Sequence, residues 1–471
     1  MKKTILVTHL MFCALILQSF AQSTKEKDNI HLTYVNDTRT ANDFPELIQS
    51  SIPGAPKLEN PQLIMGNSVP VCGEGYGWAA PAVYDWNSDG KKDLLIGEYT
   101  SGLKMGLNIG NLIRIYQNNG SDTIPEFNDD YTYAWEVNDL KESTGAPLSI
   151  NTSCCFPFMP RFKDLNGDGF IDLLSGQYCP GYISWFRGSS KKGFLPEVKL
   201  KEHYDPKIDG TNNLSLPITE PESWNYWVAS SADFGDFDGD GDQDMILGGA
   251  ALRFCENIGT KSTPEFGKRT LLFDVKGNQL KSNSSVVPYV VDWDRDGILD
   301  ILMTDAYQKK GSLAVTFFKG LQPDYVADGR DSLQFEVGIP LFTAKNNGKA
   351  FPGSWLNICV ADWNSDGVND LLIGTSIIII DGAFNHRVSW SWESETGVSK
   401  KNPAYFSDRK KEKIAQQIKA SNEHQKRLGL GDEVYNKTYM GEQRIIKHYY
   451  GQEEYKNLAH VGYVYVMLGR K

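Results

Sequence analysis

The chain has 471 residues, a formal net charge of −11 and a hydrophobic content of 40%, enough for a sizeable core. Acidity without any basic cluster disfavours nucleic acid or an anionic membrane surface as a partner. Abundant Gly, Pro, Asn and aromatic residues, with little helical periodicity, point to an all-β fold.

Lys2 and Lys3 precede a mostly apolar run at residues 4–17, and Ser19-Phe20-Ala21 then places small residues where a signal peptidase reads. This pattern predicts a secretory signal peptide over residues 1–21 and an exported mature chain of charge −13, since two lysines leave the −11 total. The alternative is a retained N-terminal anchor. Cys13 lies inside the apolar run, which argues against a lipoprotein. No later segment is long and apolar enough to span a bilayer; residues 371–380 read as a strand. Residues 22–60 form an N-terminal extension. The remaining cysteines are Cys72, Cys154, Cys155, Cys179, Cys255 and Cys359, an even set compatible with disulfides or with buried thiols, and none has zinc-type spacing.

From residue 85 the chain repeats itself. Five nine-residue segments align without gaps, beginning at Asp85, Asp164, Asp236, Asp292 and Asp362, at spacings of 79, 72, 56 and 70 residues. In the first, Asp85, Asn87 and Asp89 occupy positions 1, 3 and 5, Lys91 position 7 and Asp93 position 9. The second has Asp164, Asn166, Asp168, Phe170 and Asp172; the third has Asp236, Asp238, Asp240, Asp242 and Asp244. The fourth has Asp292, Asp294, Asp296, Ile298 and Asp300; the fifth has Asp362, Asn364, Asp366, Val368 and Asp370. Glycine fills position 6 in all five, where a sharp backbone turn is needed. A hard cation such as Ca2+ takes about six to eight oxygens. Short Asp and Asn side chains at positions 1, 3 and 5, the carbonyl at position 7 and the carboxylate at position 9 supply them. An EF-hand begins the same way but needs a glutamate at position 12 and a following helix. Position 12 here is Ile96, Ser175, Leu247, Met303 or Ile373, inside strand-like sequence. A turn of this composition could instead hold itself by side-chain hydrogen bonds without metal. The two loops with aspartate at all four side-chain ligand positions, 1, 3, 5 and 9, beginning at 236 and 292, are expected to bind the cation most tightly.

Each loop is followed by an apolar strand, a second strand such as residues 112–117, and a third often opened by Pro-x-Phe, as at Pro125-Glu126-Phe127 and Pro264-Glu265-Phe266. Each unit therefore reads as strand A, loop, strands B, C and D, a four-stranded propeller blade. On these loops and strands the chain resembles the FG-GAP/VCBS repeat proteins, the calcium-loop β-propellers also found at the head of integrin α chains. The resemblance covers roughly residues 60–376 plus the extreme C-terminus. It implies a β-propeller with bound Ca2+. Integrin-like propellers usually have seven blades. Five are favoured here, because residues 459–471 alternate like a C strand and residues 61–65 stand where other units place a D strand, so the two ends would close the last blade. Six or seven blades would require units without the motif in residues 22–60 and 377–458.

All five loops then share one face. The opposite face, built from D–A and B–C connections, is rich in aromatics beside polar groups, which suits sugar rings or a protein ligand. Candidate ligand-binding residues are Tyr76, Trp78, Glu98, Arg161, Tyr178, Trp224, Trp227, Asp305 and Trp355. The same aromatics could simply fill space between blades. The insertion at 377–458, with a polar helix expected at 407–428, should lie beside this face. No nucleophile elbow, H-E-x-x-H, Walker A loop or dinucleotide fingerprint occurs. The sequence thus points to an exported calcium-binding propeller serving as a glycan- or protein-binding module. The enzymatic alternative is a polysaccharide lyase or hydrolase, with Arg161, Tyr178 and Glu98 as the grouping to examine.

Overall fold

The computed structural model describes residues 44–137, 143–200, 231–384 and 458–471, except for 69, 74–77, 100–110, 151–156, 177–182, 189–192, 250, 268, 283–285, 306–313, 325–331, 346–349, 352–353 and 381–382. The expected signal peptide and the helix expected at 407–428 lie outside these residues. Five antiparallel sheets arranged in a ring form a five-bladed β-propeller.

Strands A to D of blade 1 are Ala80–Tyr84, Asp93–Gly97, Ile113–Tyr116 and Thr132–Tyr133. Blade 2 has Arg161–Lys163, Asp172–Gly176, Ile183–Phe186 and Val198–Lys199. Blade 3 has Ala232–Gly235, Asp244–Leu247, Arg253–Cys255 and Thr270–Leu271. In blade 4 they are Val286–Val291, Asp300–Asp305, Val315–Phe318 and Ile339–Pro340. Blade 5 joins the two ends of the chain. Ser354–Ala361 and Asp370–Ile380 are its strands A and B, Leu458–Met467 is strand C, and Gln62–Leu63 is strand D. Leu63 pairs with Tyr465 and Gln62 with Val466. The seam is reinforced where Lys57–Leu58 pairs with Gly469–Arg470 and Cys72–Gly73 with Gly462 and Tyr463.

The B strands show why the ring closes. They read as continuous apolar runs because both faces are buried, each against a different neighbouring blade. In blade 5, Leu371 and Ile373 pack with Leu302 and Phe317 of blade 4, while Leu372 packs with Leu94 and Ile96 of blade 1. In blade 1, Leu95 turns the other way, onto Leu173 and Phe186 of blade 2. Leu174 joins Met245 and Leu247 between blades 2 and 3, and Ile246 joins Ile301 and Met303 between blades 3 and 4. Among the described residues the core forms five interblade clusters, sorted by the two-residue period of the strand.

Backbones of adjacent blades meet at the end of strand B. A Cβ on Gly374 would stand 2.1 Å from the Ala79 carbonyl oxygen, and one on Gly97 would stand 1.8 Å from that of Phe158. These glycines are needed for close approach, not for turning. Blade 4 has Thr304 at the matching position, and its hydroxyl donates to the Leu356 carbonyl across the interface at 3.0 Å.

Since strand C of blade 5 is the C-terminus, deleting residues 460–471 should remove Tyr463, Tyr465 and Met467 from one interblade cluster and Val464 and Val466 from another. It would leave strands B and D of that blade with unpaired backbone groups. The expected outcome is aggregation or loss of the cooperative calorimetric transition. A soluble variant that melts cooperatively would mean that this seam does not hold the ring.

Candidate metal centres

The five loops share one backbone solution. Position 4 is left-handed in each, with φ of 58° at Ser88, 65° at Gly167, 80° at Gly239, 60° at Arg295 and 55° at Ser365. The glycine at position 6 is also left-handed, with φ between 78° at Gly367 and 93° at Gly241. Side chains hold this shape. The position-1 carboxylate accepts from two backbone N–H groups: in loop 1, Asp89 donates to Asp85 Oδ1 at 3.1 Å and Gly90 to Oδ2 at 2.9 Å. The position-5 carboxylate accepts from the position-7 N–H, as when Lys91 donates to Asp89 at 2.9 Å. The loops thus use the self-bonded turn chemistry of Asx residues and also gather oxygens. In loop 3, Asp236, Asp238 and Asp240 each place an oxygen within 4.8 Å of the others' oxygens; Asp292, Asp294 and Asp300 do so in loop 4.

Position 9 has a second task. Asp93, Asp172, Asp244, Asp300 and Asp370 are buried, and in each both carboxylate oxygens accept backbone N–H groups. One comes from position 2 of the same loop: Trp86, Leu165, Phe237, Trp293 and Trp363 donate at 3.0, 3.1, 3.1, 2.8 and 2.7 Å. The other comes from the residue leaving strand C: Asn118, Gly188, Asn257, Gly320 and Gly469, at 2.9, 2.7, 2.8, 2.8 and 2.6 Å. The carboxylate therefore ties strand A, the loop and strand C together. It keeps lone pairs for a metal, since a carboxylate has about four acceptor sites.

Sequence reasoning missed Asn118 and Asn257. Each accepts two backbone N–H groups on its side-chain oxygen, from Gly120 and Glu126 at 3.0 and 3.1 Å and from Gly259 and Glu265 at 3.1 and 3.0 Å. They fold the C–D turn that delivers Phe127 and Phe266 into the interblade clusters. The signal was present: Asn-x-Gly followed by Pro-Glu-Phe recurs at identical spacing in 118–127 and 257–266.

The loops differ in how position 5 is neutralised. In loops 1, 2 and 5 the position-3 asparagine amide donates to the position-5 carboxylate, at 3.1 Å from Asn87 to Asp89, 2.9 Å from Asn166 to Asp168 and 3.2 Å from Asn364 to Asp366. In loops 3 and 4 position 3 is an aspartate, which has no such donor. The Lys319 ammonium contacts both Asp294 and Asp296 in loop 4. In loop 3 the accumulated charge shows at Asp242, whose pKa is raised to about 6 by burial and then by Asp240, Asp238 and Asp236. Its side chain is buried.

On the other candidate face, Trp78, Glu98, Arg161, Asp305 and Trp355 are all buried. Tyr76, Tyr178, Trp224 and Trp227 lie outside the described residues, as do Cys154, Cys155 and Cys179. Trp78 of blade 1 stacks on Trp355 of blade 5 with centroids 3.9 Å apart. Glu98 is ion-paired with Arg114, whose guanidinium lies 3.7 Å from the Tyr131 ring centroid. Arg161 spans the ring's interior: it meets Asp233 of blade 3 at 3.5 Å, donates to Pro288 of blade 4 at 3.1 Å and lies over Tyr289. Tyr289 in turn donates to the Val360 carbonyl of blade 5 at 3.0 Å. The A strands of blades 2 to 5 are thereby joined by side chains. Asp305 closes strand B of blade 4, paired with Val286.

Two outcomes follow from the position-9 clamp. Replacing Asp244 by Asn turns one acceptor into a donor facing a backbone N–H, and should cost about 2 kcal/mol or more by chemical denaturation, with or without calcium. Burial raises Asp172 to about 6 and Asp244 and Asp300 to about 7, although the two N–H donors favour the charged form. A carboxyl whose folded pKa lies above its unfolded value, about 3.9, stabilises the fold while protonated and loses that contribution as pH rises through the folded value. Chelator-treated protein should therefore lose stability between about pH 4 and pH 7. A melting temperature that rises across this window in chelator would contradict the burial of these groups.

The FG-GAP-like repeat family model matches residues 164–247, from loop 2 to the end of strand B in blade 3. No curated protein matches the chain. Among solved structures, it is similar to an Agrocybe aegerita lectin that recognises non-reducing terminal N-acetylglucosamine, at 18% identity over 65% of this chain and 64% of the lectin, with a TM-score of 0.31. It is similar to a GH43_1 enzyme from Xanthomonas citri at 11% identity, over 69% of this chain and 84% of that one, with a TM-score of 0.32. The V. cholerae biofilm matrix protein Bap1 matches at 14% identity over 60% of this chain and 43% of its own, with a TM-score of 0.26. The chain thus spans less than two thirds of the lectin and of the biofilm protein. With a repeat-model match over residues 164–247 and five blades built on one aspartate loop, the chain is a β-propeller that carries FG-GAP-like repeat sequence.

Proposed function

We propose that this protein is an exported, calcium-stabilised propeller that acts as a binding module, taking a glycan or an extracellular protein on the face opposite its loops. One observation carries the calcium reading: all five blades present the same oxygen-rich loop on one face, with converging carboxylates in loop 3 that meet no cationic side chain among the described residues. Bound Ca2+ would supply positive charge and fix six to eight oxygens at each site. Positions 1, 3, 5 and 9 would hold it with side chains and position 7 with its carbonyl. Export rests on the basic–apolar–small pattern of residues 1–21. No helix long and apolar enough to cross a membrane occurs among the described residues.

Binding is favoured over lyase or hydrolase chemistry by the surroundings of the groups catalysis would need. Glu98 is committed to Arg114, and Arg161 to Asp233 and the Pro288 carbonyl. The reading of a sugar ligand rests on the aromatic content of the D–A and B–C connections.

Calcium should raise the melting temperature by several degrees over chelated protein, since saturation at about a hundred times Kd adds about 2.7 kcal/mol per site. Asp240→Ala should remove part of that gain. A melt unchanged by exhaustive chelation overturns the calcium reading. A glycan array and an extracellular-protein pull-down, each run with calcium and with chelator, decide the ligand class. Binding to neither overturns the binding module.

A further inference from the structure

The two loops with four aspartates at the ligand positions look alike in sequence, yet their surroundings differ. The position-9 clamp defines an equivalent chain position in each blade, the residue before the backbone N–H that it captures at the end of strand C. The preceding side chain is then Gln117, Arg187, Glu256, Lys319 and Leu468 in blades 1 to 5. In blade 2 Arg187 turns toward the Trp185 ring, 6.0 Å from its centroid. In blade 3 the residue is an acid. In blade 4 the Lys319 ammonium contacts Asp294 at position 3 and Asp296 at position 5.

Loop 1 also sets a cation beside its position-5 carboxylate, with Lys91 3.6 Å from Asp89, but in loop 4 one lysine contacts positions 3 and 5 together. Where position 3 is asparagine, its amide supplies the donor for the position-5 carboxylate. Where position 3 is aspartate, that donor is lost and a further negative charge is added. Loop 3 makes the change with Glu256 at the equivalent chain position, and loop 4 makes it with Lys319, which contacts the loop. The lysine is held in place, since Gly320 is bonded to Asp300 at 2.8 Å and Glu336 donates to the Lys319 carbonyl at 2.9 Å. Loop 4 is also braced from both sides: Arg295 donates to the Gly367 carbonyl of loop 5 at 2.7 Å, and Gly54 packs against the Asp294 backbone.

We propose that Lys319 is the built-in cation of loop 4, so that this loop is neutralised by the chain itself and binds no calcium, whereas loop 3 depends on the metal most. Blade 4, which packs against the seam blade, then stays ordered when calcium is withdrawn. The proposal rests on the calcium reading above for the other loops, and its test separates the two.

The test uses the full mature chain and four proteins: wild type, Lys319→Gln, Asp240→Asn and Asp296→Asn. Calcium per chain is counted by equilibrium dialysis, and each protein is melted in calcium and in chelator. Lys319→Gln should bind one more ion than wild type and melt several degrees lower in chelator, with calcium restoring the loss. Asp296→Asn should leave the ion count unchanged, and Asp240→Asn should lower it by one. Loss of an ion from Asp296→Asn, or an unchanged chelated melt for Lys319→Gln, overturns the role of Lys319. An unchanged count for Asp240→Asn instead overturns the calcium reading, and the chelated melt of Lys319→Gln still decides whether the lysine neutralises loop 4.

Discussion

The buried aspartate at position 9 is the interaction on which the rest of this structure depends. A four-stranded blade only packs against its neighbours if strands A, B and C keep a fixed stagger at the loop face. One carboxylate enforces that stagger by accepting from the loop and from the end of strand C at once. The arrangement recurs in all five blades although the surrounding sequence varies widely. Burying a charged group is costly, and the raised pKa values of these aspartates report that cost; two backbone donors offset it. A cation close by would offset it further, which links the folding role of this residue to its proposed metal role.

With the stagger fixed, strand B can present alternate side chains to alternate neighbours. The clusters between blades are the consequence, five of them among the described residues. Such a ring has no stable open form, because an end blade would expose one face of every strand. Closure by the two chain ends resolves this. Arg161, Asp233 and Tyr289 add a polar link inside the ring, where a single guanidinium from blade 2 reaches the A strands of blades 3 and 4. A buried ion pair of this kind gives little net stability, but losing one partner costs about 3–5 kcal/mol.

Several residues that the sequence offers as ligand contacts are enclosed in this framework. Trp78 and Trp355 face each other across the seam between blades 1 and 5, and Trp355 adopts a left-handed φ of 57° to do so. Glu98 and Arg161 face partners from within the protein. Polar and aromatic residues near a strand end read the same whether they point outward or into a blade boundary, because one step along a strand reverses the side chain.

The sequence alone determined the all-β repeat, the registers of the five loops and the preferred blade count. Those features depend on local chemistry: an aspartate–glycine spacing, a two-residue alternation, and a C-terminal strand in need of a partner. Tertiary structure decided what depends on residues far apart in the chain. It set Asp93 against the N–H of Asn118, gave Asp294 and Asp296 a lysine more than twenty residues away, and turned Arg161 toward Asp233 and Pro288. No spacing rule announces such partners. They meet because the ring brings the end of one strand to the mouth of another's loop, and a carboxylate's behaviour is fixed by the charge and the donors it meets there.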